Sequence, residues 1–391
     1  MQKTYPCWGK YKRATPTAVF SPVWQTDPAP TTALSRLAYG CGRSYGDVCL
    51  NDGGAIINTS SFKHILAFNE ETGVLRCESG LTLGEILAFS VPRKWFLPVT
   101  PGTKFVTVGG AIANDVHGKN HHHAGTFGRH VSCFELLRSS NERLFCSPLE
   151  NKDLFSATIG GLGLTGVITW AEIQLKKISG PFIEQTNQRF SSLEEFFGLS
   201  AAADLSDEYT VAWLDSTAPR SQLGRGIFMS GNHVTTTMDQ KPVHAPISAP
   251  VPFDLPDFVL NPLSIRAFNT AFLHKEKRQA HTFLTHYEPF FYPLDRLTDW
   301  NRLYGKRGFL QYQCVLPMDA AVAGLRELLT RMHDGKLRSF LSVLKVFGSL
   351  ASPGMLSFPR AGATIALDVP YTGPDLIKTL RDLDQLVLHY G

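Results

Sequence analysis

No window of this 391-residue chain approaches the apolar length needed to span a membrane, and the first eleven residues hold no signal-peptide core. There is no Cys-x-x-Cys pair. The seven cysteines (Cys7, Cys41, Cys49, Cys77, Cys133, Cys146 and Cys314) are scattered and odd in number. That argues against a zinc ribbon or a thioredoxin-type site and suits a reducing compartment. Charge of one sign is also scarce: 38 basic against 34 acidic residues give +4, with no long basic run. A nucleic-acid partner is therefore not expected, whereas an anionic ligand is compatible. No internal repeat is found. These absences describe a cytoplasmic protein, with contact at a membrane surface left open.

What is present is globular. The hydrophobic fraction is 43%, charged residues are 18%, and the length allows two domains. Eleven per cent aromatic residues, 26 of them Phe, favour apolar pockets. From Leu37 to about Lys177 the pattern is of short strands, turns and short helices. Ala55–Asn58, His64–Asn69 with Val74–Glu78, and Val131–Leu137 with Arg143–Cys146 read as strands. Thr82-Leu-Gly-Glu85 has capping-box spacing before a helix over Leu83–Phe89, and Ser192-Leu-Glu-Glu195 repeats the spacing. Asn151 is placed to cap a helix to about Thr158. Val167, Thr169, Ala171, Ile173 and Leu175 alternate as one strand face. Further strands are expected over Glu208–Asp215, Gly226–Ser230, Phe309–Leu316, Phe340–Phe347 and Ala363–Asp368, with helices over Ala320–His333 and Pro374–His389. His233–Asn261 is rich in Pro, Thr and Ala and lacks periodicity, as a lid, binding loop or disordered segment would. A domain boundary is placed near residue 178.

Gly161-Leu-Gly-Leu-Thr-Gly166 matches G-x-G-x-x-G, but a helix precedes it and a strand follows. A dinucleotide fingerprint needs the reverse order, so the Rossmann reading is rejected. Two other segments carry more. Tyr39-Gly-Cys-Gly-Arg-Ser-Tyr-Gly-Asp47 brings Gly40, Gly42 and Gly46 for close backbone approach and an anion nest, with Arg43 and Ser44 as phosphate donors. Pro101–Asn120 brings Gly102, Thr103, Thr107, Gly109 and Gly110, and ends in His117-Gly-Lys-Asn120. Together they suggest a diphosphate-bearing cofactor. His121, His122 and His123 could suggest a metal. Adjacent side chains diverge and no acidic partner is spaced for a tetrahedral site, so no metal is expected.

These segments resemble the vanillyl-alcohol-oxidase-type (PCMH-type) flavoprotein superfamily, with Gly40–Asp47, Pro101–Gly118 and Thr158–Ile168 as its three FAD-contacting stretches. Further stretches, Trp300-Asn-Arg-Leu-Tyr-Gly305, Gly308-Phe-Leu-Gln-Tyr-Gln313 and Lys345-Val-Phe-Gly348, resemble its branch that oxidises polyprenyl-phosphoryl ribose. The likeness runs from about Trp8 to Gly391. It implies an α+β protein: a PCMH-type FAD-binding domain of two subdomains over 1–178, and a substrate-binding domain with an antiparallel sheet over 179–391. It implies FAD held by Gly40, Cys41, Gly42, Arg43, Ser44, Tyr45, Gly46, Asp47, Gly102, Thr103, Thr107, Val108, Gly109, Gly110, Asn114, Asp115, Val116, His117, Gly118, Asn120 and Ile168. Arg43 stands where some members attach FAD through a histidine, so the cofactor is expected to be non-covalent. Ala366 stands where covalent inhibitors trap a cysteine.

The reaction implied is oxidation of a sugar secondary hydroxyl to a ketone, as the first half of an epimerisation. A separate NAD(P)H-dependent short-chain reductase would complete it, and a quinone or dioxygen would reoxidise the flavin. His117, Lys345, Gln311 and Gln313 are the catalytic candidates. Lys345 lies in an apolar strand, where an unpaired ammonium is costly. Gln311 and Gln313 alternate on one strand face, which could equally be a solvated edge. Tyr304, Trp213 and Lys119 are substrate candidates, although the two aromatics could be plain core. Ala245–Leu263 could cover a lipid tail. Two other functions stay open. One is an alditol or sugar oxidase using dioxygen. The other is a truncated, non-catalytic remnant, because family members continue past the position of Gly391 with a segment that supplies a lysine and a tyrosine to the flavin site.

Overall fold

The computed structural model describes residues 5–235, 249–256 and 258–391. Of the proline-rich stretch read as a lid or lipid cover, residues 236–248 and 257 lie outside the described residues. The fold is α+β, and three sheets organise it. Ala18–Phe20, Ala55–Asn58 and Arg36–Tyr39 form a parallel sheet with Ala55–Asn58 in the middle. A five-stranded antiparallel sheet orders Ile65–Phe68, Val74–Glu78, Val167–Gln174, Val131–Leu137 and Arg143–Cys146. Its central strand, Val167–Gln174, alternates as expected: Val167, Thr169, Ala171 and Ile173 are all buried. Beside it lie the helices Leu83–Ser90 and Val108–Ala113, whose Leu83, Ile86, Leu87, Val108 and Ile112 join one core with Leu75 and Phe134. The capping box of the first helix is complete: Thr82 Oγ1 accepts from the Glu85 amide and Glu85 accepts from the Thr82 amide. Such a cap contributes about 1 kcal/mol.

The seven-stranded antiparallel sheet draws all its strands from Phe182–Phe190 onward. Its order is His281–His286, Phe182–Phe190, Gly226–Val234, Tyr209–Leu214, Ser342–Phe347, Gly362–Pro370 and Phe309–Leu316. Period-two alternation splits its last strands cleanly. Tyr312, Cys314, Leu344, Ile365 and Leu367 point to one face and meet helices. The helix Ala321–Asp334 supplies Leu325, Leu328, Leu329 and Met332 at helical spacing. Pro374–Tyr390 adds Leu376, Leu383 and Leu386. The opposite face is left for a cavity.

Several local expectations need correction. Asn151 holds the N-cap position of Lys152–Thr158 in a left-handed conformation, but its side chain donates to the Phe145 carbonyl instead of capping. Ser192 caps Leu193–Ala203, yet Glu195 turns back to Ser191, so no box closes. The strand Phe182–Phe190 and the helix Pro262–Lys275 have no counterpart in the sequence reading.

Candidate active site

A cavity of about 840 Å³ lies between the glycine-rich segments and the open face of the seven-stranded sheet. That is near the upper end for small-molecule sites and admits a dinucleotide. One wall is mainly backbone. Gly40 to Tyr45, Gly102, Thr103, Thr107, Gly109, Gly110 and the run Asn114–Lys119 all line it, with Gly163, Gly166 and Ile168 beside them. Thr107 caps the short helix Val108–Ala113, which lets Gly109 and Gly110 present bare backbone to the cavity. Gly42 has φ +61°, and a Cβ there would lie 2.0 Å from the Tyr39 hydroxyl, so glycine is required on both counts. Arg43 donates to the Cys41 carbonyl at 2.8 Å and its guanidinium sits 4.4 Å from the Trp8 ring centre. Its Nε and the Ser79 hydroxyl are buried without hydrogen-bond partners, and both residues line the cavity. Orphaned donors beside open glycine backbone are what a diphosphate would satisfy.

The other wall is made of side chains from adjacent strands. In register, Gln313 faces Ala366, Gln311 faces Asp368, and Thr364 faces both Val315 and Lys345. Gln311, Gln313, Thr364, Ala366, Val343 and Lys345 all reach the cavity. Lys345 Nζ lies 3.1 Å from His117 Nδ1 and 3.4 Å from the Gly118 carbonyl. Gln313 Nε2 lies 3.2 Å from His117 Nε2 and 3.1 Å from Thr364 Oγ1. A neutral imidazole donates from only one nitrogen. An ammonium at Lys345 therefore places the His117 proton on Nε2 and turns the Gln313 carbonyl toward it.

Burial governs the charges here. Desolvation, then the charge of Lys345, pushes the His117 imidazole well below its ordinary value, so it is neutral. Lys119 is brought down to about 8 by desolvation. Lys345 is brought down to about 7 by desolvation and then by the charge of Lys119. Among the described residues neither lysine has a carboxylate partner in a salt bridge; Lys119 Nζ lies 5.1 Å from the Phe290 ring centre. Gln311 Nε2 donates to Asp368 Oδ1 at 2.8 Å. Burial raises that carboxyl to about 7, and its Oδ2 has no partner.

Not every candidate reaches the cavity. Gly46, Asp47, Val108 and Asn120 are absent from its lining. Val108 is core, and the buried Asn120 amide braces the Pro98 carbonyl at 2.8 Å. Asp115 lines the cavity, but its carboxylate accepts from Gly128, Ser352 and Ser357 and so pins the loop. Trp213 sits one strand over from the wall, opposite Val343, is absent from the lining, and donates to the Phe340 carbonyl. Tyr304 stacks on Phe309 at 4.1 Å and is core. The expected divergence of the histidines also fails. The His122 and His123 ring centres are 4.3 Å apart, and Asp204 Oδ1 approaches His122 Nε2 to 3.3 Å. Trp8, Trp300, Phe291 and Thr364, which line the cavity, and Asp368, which holds Gln311 from outside the lining, were not foreseen. Only the polar pair Thr364 and Asp368 left a signal, as hydrophilic positions at even spacing in an apolar strand.

Comparison with known proteins decides the family. An FAD binding domain model matches residues 29–141. Decaprenylphosphoryl-beta-D-ribose oxidase of Mycolicibacterium smegmatis is 34% identical over 91% of this chain and 78% of its own length. This chain belongs to the vanillyl-alcohol-oxidase-type FAD-binding oxidoreductases. An uncharacterised Streptomyces coelicolor protein from the mprA 5′ region is 32% identical over 80% of the chain and 87% of its own length. Human Delta(24)-sterol reductase is 32% identical over 28% of this chain and 22% of its own length. As a member of this family the protein is an FAD-dependent oxidoreductase. Among the described residues no helix is long and apolar enough to cross a membrane.

Proposed function

We propose that this oxidoreductase converts the 2′-hydroxyl of a polyprenyl-phosphoryl ribose to a ketone, with FAD held non-covalently between the two walls of the cavity. The observation that carries this reading is the pair Lys119 and Lys345, which line the cavity half-buried and have no carboxylate ion-pair partner among the described residues. A pair of partly desolvated ammonium groups is costly unless an anion joins them, and a sugar phosphate is such an anion. When bound, FAD takes up the hydride; the protein positions the carbinol and manages its proton.

The lysines divide that work. Their mutual repulsion means that one gives up its proton before the other. Lys119, at about 8, keeps its charge for the phosphate. Lys345, at about 7 and held by His117 and the Gly118 carbonyl, accepts the hydroxyl proton. Gln311 and Gln313 orient the ribose hydroxyls. The glycine-rich wall holds the diphosphate of the cofactor, and Arg43 in place of a histidine leaves no ring nitrogen there for a covalent link. The PCMH-type arrangement of two subdomains and a substrate domain dividing near residue 178 fits the way the seven-stranded sheet begins at Phe182. The ketone would pass to an NAD(P)H-dependent reductase of opposite stereochemistry, and a quinone or dioxygen would reoxidise the flavin.

The test is turnover of a short-chain polyprenyl-phosphoryl ribose against free polyols, with a quinone-like dye as acceptor. Turnover of polyols but not of the lipid-linked sugar would make this an alditol oxidase instead. Denaturation of the yellow protein should release free FAD; flavin remaining on the polypeptide would refute non-covalent attachment.

A further inference from the structure

Behind the cavity wall, the chain leaving His117 and Lys119 enters a short helix, His121–Ala124, which abuts the end of the helix Leu193–Ala203. Three side chains meet there. The ligand atoms of His122, His123 and Asp204 all lie within 4.8 Å of one another. His122 is nearly enclosed, with its side chain 3% exposed, and its Nε2 stands 3.3 Å from Asp204 Oδ1. That Oδ1 is buried, and no hydrogen bond reaches it. The nearest backbone acceptor to His122 Nε2, the Asp207 carbonyl, is at 3.5 Å. A buried carboxylate oxygen lacking a donor is unfavourable.

We propose that His122, His123 and Asp204 bind one divalent transition-metal cation, preferentially zinc, which fastens the His117–Lys119 segment to the helix Leu193–Ala203. The separation fits. Two ligands at zinc distances of roughly 2.0–2.1 Å from a tetrahedral ion lie about 3.3 Å apart. His123 is exposed and can rotate its ring inward to make the third bond; water completes the fourth. Asp204 is the C-cap of its helix, so the carbonyl end of the helix dipole adds negative potential where the cation would sit. Two imidazoles and one carboxylate suit zinc or its late first-row neighbours and not magnesium or calcium, which take oxygen ligands. The consequence is mechanical: the Thr210 amide already donates to the Lys119 carbonyl at 2.8 Å, and the metal would tie the same crossing a second time.

The experiment is equilibrium dialysis of untagged, FAD-loaded protein against zinc chloride, with thermal melts in parallel. The expected result is one zinc per chain, a higher melting temperature with zinc, and no displacement by a hundredfold excess of magnesium. His123→Ala and Asp204→Asn, both at accessible positions, should each weaken zinc binding at least tenfold and abolish the thermal shift while flavin absorbance stays unchanged. His274→Ala, an exposed histidine on a remote helix, should change nothing. Absence of zinc binding, zinc affinity unchanged from wild type in either site variant, displacement by magnesium, or an equal loss in His274→Ala would each overturn the assignment.

Discussion

The two walls of the cavity are built by opposite means. The wall from Gly40 to Lys119 is mainly backbone, assembled from contiguous segments whose glycines bare their N–H groups. The facing wall is side chains: Gln311, Gln313, Lys345, Thr364 and Ala366 come from three strands and meet through antiparallel register. A backbone wall reads any ligand with the right charge and width. A side-chain wall can distinguish hydroxyls, and it can hold or move a proton. Cofactor binding and substrate chemistry should therefore be separable by mutation.

The largest effect should come from the side-chain wall. Lys345→Met should lower kcat by roughly 10²–10⁴-fold, the range for removing a general base, while the protein stays yellow. Stopped-flow reduction of the bound flavin measures this, and loss of flavin on purification would show that the walls are not independent. Next comes the backbone wall. Gly42→Ala forces a side chain into a left-handed position against Tyr39 and the Pro6 carbonyl. FAD affinity should fall at least tenfold, on the order of the 1–2 kcal/mol that left-handed geometry costs. Circular dichroism should show the sheets intact.

A subtler effect concerns Asp368, whose folded carboxyl is raised to about 7 from 3.8 by burial. A raised pKa means that the folded state holds the proton more tightly than the unfolded one. The stabilisation is fully present below about 3.8 and is lost as pH rises through about 7. Asp368→Asn mimics the neutral form, so its melting temperature should fall less than wild type between pH 5 and pH 8, by on the order of 2 °C. Parallel melting curves for the two proteins would remove this account. The smallest change is Ala366→Cys. It should leave kcat within about twofold, since Ala366 contributes only a methyl group, and create a thiol in the cavity that an alkylating reagent labels and substrate protects.

Agreement between sequence and structure follows the same division. The Thr82–Glu85 box, the alternation of Val167–Ile173 and the helix over Ala321–Asp334 are local: capping, period two and period 3.6 each act within a few residues. The glycine loops were legible for the same reason, because a backbone wall writes its needs into contiguous residues. Trp213 and Tyr304, for which plain core stayed open as an alternative, lie outside the cavity lining; nothing in an aromatic residue says which side of a sheet it occupies. Asp368 was overlooked because its meaning depends on Gln311, 57 residues away.

The sequence by itself determined most of the strands and helices and the glycine-rich segments that line the cavity, with His117 and Lys119 beside them, and its family resemblance implied the α+β class. Tertiary structure alone decided that Lys345 and Gln313 grip opposite nitrogens of His117, that two lysines share a cavity without an ion pair to either among the described residues, and that Asp204 comes to face His122. The reason is physical. Local structure is set by forces that reach a few residues along the chain, whereas a pKa or a proton position is set by what burial brings within a few ångströms from anywhere in it.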